Sequence, residues 1–412
     1  MFRNYLLTAW NVFMRRKLFT AINLLCIVLT LVVLMVSTAL LESLLQPSGI
    51  EGKSGRFLEV SKLTQSSADG SSRATSRLGY KLIDKYLKPM QSAHLVAAAT
   101  SASLVSVYQG DRVTELDLRR VDTNYWKIFD FKLLAGRLPT LEDEQQGHMV
   151  AVINASVARR LFGAGPAVAQ PLDVAGQAFR VIGVVADIPA QLHAYSEIWA
   201  PVTTFPTSSY RDAMEGPFSA LLLADSTADV SRIKNEVMQI AGRIPPNGDL
   251  TVTHLWADSR LDDIARGILV NNNKPDSGAG TLVMIIATAM FLFMLLPALN
   301  LINLNTGRIL ERSSEIGVRR SFGATSAQLA GQFLIENTVL CLIGGVIGLA
   351  FTAAILAWLE GSGLIPYLKV NLNLAVVGYC TLITFVFGIL SGLIPAWKMS
   401  RLDPVLALKG TA

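Results

Sequence analysis

Residues 21–41, AINLLCIVLTLVVLMVSTALL, carry no charged side chain, and a helix of that length covers the roughly 30 Å of hydrocarbon in a bilayer. Three further apolar stretches follow at 281–304, 329–358 and 374–394, of which 329–358 belongs to a helix that starts near Ser326. Between the first and second, residues 42–278 contain no apolar run long enough to span. The pattern predicts a membrane protein with four transmembrane helices plus a large α+β extracytoplasmic domain inserted between the first and second. A chain that is 51% hydrophobic and 16% charged fits that mixture, being too apolar for an ordinary soluble protein and too polar for an all-membrane one.

The net charge of +5 does not point to nucleic acid once it is mapped. Residues 42–278 hold 24 Lys and Arg against 26 Asp and Glu, whereas the remaining segments hold 12 against 5. The short segments 1–17, 305–328 and 396–412 carry 4, 4 and 3 basic residues, against only Lys369 in 359–373. The positive-inside rule therefore places both termini, with 395–412 as a tail, and 305–328 in the cytoplasm, and 42–278 in the periplasm or extracellular space. Residues 1–20, with Arg3, Arg15, Arg16 and Lys17 beside Tyr5, Trp10 and Phe13, read as an interfacial amphipathic helix. A cleaved signal peptide is the rival for the first run, but that run exceeds the usual 7–15-residue apolar core.

In 305–328 the charges fall at helical spacing. Glu311 lies three residues from Arg308, Glu315 three from Arg312, and Glu315 four before Arg319, each pair worth about 0.2–0.5 kcal/mol to a helix. Gly323 can close that helix, and Thr325 with Gln328 has the spacing of a capping box that opens the next. A topology anchor needs the basic residues, but not the interleaved acids and the capped turn. The stretch ERSSEIGVRRSFGATSAQLAGQFLIENTVLCLIGGVIG, 311–348, resembles the signature region of the FtsX/MacB-like permeases of ABC transporters. That resemblance implies a cytoplasmic shoulder receiving the stroke of a separate ATPase, through Glu315, Ile316, Gly317, Arg319, Arg320, Gly323 and Ala324, with Glu311 and Arg312 beside them.

The polar insertion carries a second resemblance. VDTNYWKIFDFKLLAGRLP at 121–139, VAVINASVARRLFG at 150–163 and PLDVAGQAFRVIGVVADIP at 171–189 are similar to the MacB-type extracytoplasmic domain; residues 190–230 match least clearly. The resemblance implies a permease subunit in the bacterial inner membrane. Its partners would be two copies of a cognate ABC ATPase, a second copy or a homologous permease, the lipid bilayer and, in some export systems, a periplasmic adaptor protein. It implies export of peptides, antibiotics or lipoprotein-like cargo; the alternative is an FtsX-like scaffold that transmits ATP binding to a cell-wall hydrolase. No Walker motif is present: GIEGKS at 49–54 lacks the leading glycine, whose position is taken by Pro47. No enzymatic activity and no cofactor are expected, ATP being bound by the partner.

Within the insertion, periodicity predicts strands at 56–62, 149–153, 178–185 and 250–254, and a hairpin of 95–108 with 112–121. Helices are predicted at 76–88, at 155–162 behind an Asn154 cap, at 230–240 and at 258–270. His94, His148, His193 and His254 are isolated and read as surface or turn histidines, and Glu142–Asp143–Glu144 reads as a solvated run. In the spans, Pro297 predicts a bend and Asn300 an interhelical amide contact. Gly344 with Gly348, and Gly388 with Gly392, predict close helix packing. Glu336, at shallow depth in the third span, reads as a structural ionic partner, with a proton relay as the rival.

Overall fold

The computed structural model describes residues 13–14, 17–45, 50–110, 112–271, 274–311, 318, 322, 325–364, 366–367, 377–379, 382, 385–386, 389 and 393. The chain divides into two compact units, one of Met1–Leu41, Val283–Ser362 and Val370–Ala412, the other of Glu42–Leu282 with Gly363–Lys369.

In the first unit, helix Lys17–Leu45 packs on helix Ser326–Ser362. Among the described residues, Thr20–Leu45 and Leu334–Ser362 are long and apolar enough to cross a membrane, and Ala279–Leu295 is a shorter apolar stretch of helix Ala279–Glu311. The expected fourth span, 374–394, falls mostly outside the described residues. Ile27, Leu31 and Met35, one helical turn apart, form a seam with Leu340 and Cys341. Thr30 and Thr38 donate their hydroxyls to the carbonyls of Cys26 and Leu34 at 2.8 and 2.6 Å, so neither is left unpaired in an apolar setting. The Thr325–Gln328 capping box is present: Thr325 N donates to Gln328 Oε1 at 3.0 Å and Gln328 N to Thr325 Oγ1 at 3.3 Å. The helix of the second span runs unbroken into the charged segment as far as Glu311.

In chain order the strands of the second unit are β1 (Phe57–Val60), β2 (Leu63–Ser66), β3 (Arg73–Ser76), β4 (Leu95–Thr100), β5 (Ser103–Gln109), β6 (Arg112–Val121), β7 (Leu133–Gly136), β8 (Val150–Asn154), β9 (Pro171–Val174), β10 (Gln177–Val185), β11 (Ile198–Pro201), β12 (Phe218–Leu223) and β13 (Val252–Leu255). The order β6-β11-β8-β10-β9-β5 closes on itself through β5–β6 pairing, giving a six-stranded barrel. Val107, Leu116, Leu118, Ile153, Phe179 and Ile198 fill its interior, each from alternate positions of its strand. From β6 the sheet continues outward through Ala99↔Val121 into β4, β12 and β1. Helix Val230–Ala241 and the helical stretch Tyr80–Leu87 share a second core with those strands, around Leu58, Leu82, Phe218 and Val237. Strands β13-β2-β3 make a separate small sheet.

The expected Asn154 cap is present, Val157 N donating to Asn154 Oδ1 at 2.8 Å at the head of helix Ala155–Phe162. Two expectations are corrected. The run 95–108 is two strands, because β4 pairs with β12 while β5 pairs with β6 and β9, and the chain changes partners at 101–102. The helix expected from residue 76 begins only at Tyr80. Gly79 lies so close to the 213–214 backbone that a Cβ would stand 2.0 Å from the Ala213 carbonyl oxygen, and this contact holds the preceding residues extended.

Candidate coupling site

The chain enters or leaves the second unit in three places: after helix Lys17–Leu45, before helix Ala279–Glu311, and after helix Ser326–Ser362. Side chains from all three converge on one segment, 189–197. From the first, the Glu51 carboxylate accepts a hydrogen bond from Ala194 N at 2.8 Å. From the second, Arg260, in the first turn of helix Arg260–Leu269, donates to the Gln191 carbonyl at 2.6 Å and contacts His193 Nε2 at 3.2 Å. From the third, the Pro366 carbonyl accepts from Ala190 N at 3.1 Å and Tyr367 Oη donates to Glu197 Oε1 at 3.0 Å.

The segment is in turn fixed to the barrel. Tyr195 Oη donates to Asp117 Oδ2 at 2.8 Å, Ser196 Oγ to the Asp117 carbonyl at 2.8 Å, and Asp117 N to Glu197 Oε2 at 3.0 Å. Tyr125, fully buried, donates its hydroxyl to the Ala194 carbonyl at 3.0 Å. His193 is the centre of this arrangement and not a surface histidine. Its side chain is 11% exposed, Nδ1 lies 2.8 Å from Glu59 Oε2, and its carbonyl accepts from Arg119. Arginine can only donate, so Nε2 is the acceptor and Nδ1 carries the proton toward Glu59. Burial works against the Glu59 carboxylate, but His193, Ser219 and Arg119 outweigh it and hold its pKa down to about 2. At Glu51 burial prevails over His193, Ala194 and Arg260, and the pKa is raised.

A second polar cluster joins helix Arg260–Leu269 to the start of the next span. Buried Arg266 donates Nε to both Asp258 oxygens at 3.0 and 2.8 Å, and its Nη atoms to the carbonyls of Asn271, Lys274 and Pro275 at 2.7, 2.7 and 3.1 Å. Its guanidinium also lies 4.8 Å from the Trp256 ring centre. One arginine thereby holds Asn271, Lys274 and Pro275 together. Asp262 completes a capping box with Ser259, pairs with Lys234 at 2.6 Å and accepts from Ser277 Oγ at 2.5 Å. The same Ser277 oxygen accepts from Ala279 N, the first residue of helix Ala279–Glu311, at 3.2 Å. Burial opposes ionisation of Asp262, but Lys234, Ser277 and Ser259 hold its pKa down to about 2.

Of the residues singled out in the sequence, Glu311 ends helix Ala279–Glu311, whereas Arg312, Glu315, Ile316, Gly317, Arg319, Arg320, Gly323 and Ala324 lie outside the described residues, as do Gly388 and Gly392. Pro297 and Asn300 are within that helix, with side chains outside the description. Gly344 and Gly348 face the first span: a Cβ would stand 2.6 Å from Ile27 Cγ2 at the former and 3.2 Å from Leu31 Cβ at the latter. Glu336 is buried and accepts from Gln332 Nε2 at 3.1 Å. In the acidic run at 142–144 only Glu142 is exposed. Asp143 is 3% exposed and takes both Nη atoms of Arg137, and Glu144 accepts from Thr123. Ser259-x-x-Asp262 was readable in the sequence as a capping box; His193 and Arg266 had no local signal.

Two families match the chain, the MacB-like periplasmic core domain over residues 20–240 and the FtsX-like permease C-terminal over 287–404. YknZ of Bacillus subtilis, described as an uncharacterized ABC transporter permease, is 27% identical over 339 residues, covering 79% of this chain and 77% of that protein. The macrolide export ATP-binding/permease protein MacB of Mannheimia succiniciproducens is 26% identical over 319 residues, covering 76% of this chain but 46% of that protein. The chain thus spans less than half of that MacB relative. The crystal structure of the periplasmic region of MacB from Actinobacillus actinomycetemcomitans aligns with 55% of this chain and 96% of its own, at 18% identity and a TM-score of 0.39.

Proposed function

The chain belongs to the MacB-like and FtsX-like permeases of ABC transporters, and from that premise we propose that it converts the stroke of a separate ATPase into movement of its outer domain. In this reading four helices cross the inner membrane, both termini are cytoplasmic, and residues 42–278 lie outside. Two ATPase copies act on the 305–328 shoulder of this chain and of a second permease. The work is done in export of peptides, antibiotics or lipoprotein-like molecules, with an adaptor where the cell supplies one.

The observation that supports a mechanical role is the convergence of all three chain connections on 189–197. Displacement of a helix does work on a distant body only where the joint resists shear. Charge-assisted and buried hydrogen bonds supply that resistance because they hold at one geometry and weaken steeply when bent. Glu51, Arg260 and Tyr367 are the joints, and the barrel behind Asp117 and Tyr125 is the body they move.

The test is purification with the cognate ATPase. Glu315→Arg combined with Arg319→Glu is expected to leave the ATPase bound but to abolish the ATP-driven change in the outer domain. Normal ATP-driven movement in that variant, with the ATPase docked, would overturn the role given to the shoulder.

A further inference from the structure

We propose that the outer unit also binds the free carboxylate of an N-acyl amino acid or peptide end, in the cavity that Arg137, His148 and Arg180 line. The cavity measures about 370 Å³, within the range that holds a small ligand, and its position on the barrel separates it from the coupling network.

The charges of the cavity do not balance. Arg137 is consumed by Asp143, to which Nη1 and Nη2 donate at 2.5 and 3.1 Å. Asp143 is saturated further by Thr140 N and Oγ1 at 2.9 and 3.0 Å and by His148 Nδ1 at 3.0 Å. The hydrogen bonds from Arg137 outweigh its burial and hold the Asp143 carboxyl well below the usual range, so it accepts and does not donate. Arg180, on β10, is exposed, and its guanidinium has no hydrogen-bond or ion-pair partner among the described residues. One positive charge in the cavity is therefore uncompensated, carried on a planar fork whose geometry matches a carboxylate.

The other groups define what is attached to that carboxylate. His148 places Nδ1 on Asp143, and in the tautomer that donates there Nε2 is an acceptor suited to an amide N–H. Val168 and Ile182, both half-buried, supply apolar wall for a side chain. The far wall includes Ala169 at φ 71°, a left-handed conformation held by its N–H donating to the Val181 carbonyl at 2.7 Å. Strain of this kind in a residue with a Cβ gathers at binding sites.

The full chain, purified in detergent without any ATPase, is titrated calorimetrically with N-acetyl-leucine, with its carboxamide and with a tripeptide ending in leucine. Saturable binding of one carboxylate per chain is expected, with none of the carboxamide, and Arg180→Gln should weaken it by about tenfold or more. Binding of either the small acid or the tripeptide supports the proposal, and their ratio distinguishes a free acid from a chain end. Equal binding of the carboxamide, equal competition by inorganic phosphate, wild-type affinity in Arg180→Gln, or no saturable binding would each overturn it. Because no ATPase takes part, failure here leaves the coupling role untouched, and failure of that role leaves this site untouched.

Discussion

In the outer unit, Arg266 and His193 are held by directional bonds to several chain segments at once, whereas in the membrane helices Gly344 and Gly348 make their contacts by having no side chain. The two kinds of contact respond differently to force. A bidentate arginine or a shared carboxylate has one good geometry and fails abruptly outside it. An apolar seam such as Ile27, Leu31 and Met35 against Leu340 and Cys341 has many geometries of similar energy, since lipid and side chain are equally apolar. In the coupling role proposed above, the helices would shift along one another while the outer body moves without deforming.

That contrast can be broken from either side. The largest effect is expected at Arg266→Ala, which leaves half-buried Asp258 without its partner. Such losses cost about 3–5 kcal/mol, and the 271–275 connection should become protease-sensitive while the membrane seam survives. Gly136→Ala follows. Gly136 has φ 75° and a Cβ there would stand 2.1 Å from the Ile182 carbonyl oxygen. Left-handed strain and overpacking together predict a loss of about 2–5 kcal/mol in thermal unfolding of the outer unit.

Gly344→Leu tests the other side. Overpacking against Ile27 should cost about 1–3 kcal/mol, read as weaker cross-linking of cysteines placed in the first and third spans, with outer-unit melting unchanged. The most gradual effect comes from pH. Glu59 and Asp262 are both held at about 2, below their ordinary 4.5 and 3.8. The stability they contribute is complete above those ordinary values and is lost as pH falls toward 2. Melting of the outer unit should therefore drop across that window, and Asp262→Asn should shrink the drop.

The sequence revealed what is local. The first and third apolar runs, the Thr325–Gln328 and Asn154 caps and the helix at 230–241 each rest on spacings of a few residues. The barrel did not show, because β11 pairs in parallel with β6 and β10 with β8, across separations that leave no mark on periodicity. Nor did the coupling segment. His193 meets partners at 59, 119 and 260, and a lone histidine carries no sign of them. Asp143 was misread because its acidic neighbours hide an arginine six residues upstream.

In the proposed role, the outer body moves because Ala190 and Glu197 tie it to the stretch that follows helix Ser326–Ser362. Spin labels at exposed Leu134 in both permeases of the assembled complex report that movement as an ATP-dependent change in distance. Ala190→Pro with Tyr367→Phe removes the donors of both ties. With ATP hydrolysis and outer-unit melting retained, the distance change should disappear in this variant; a change equal to that of the unaltered chain would contradict the account.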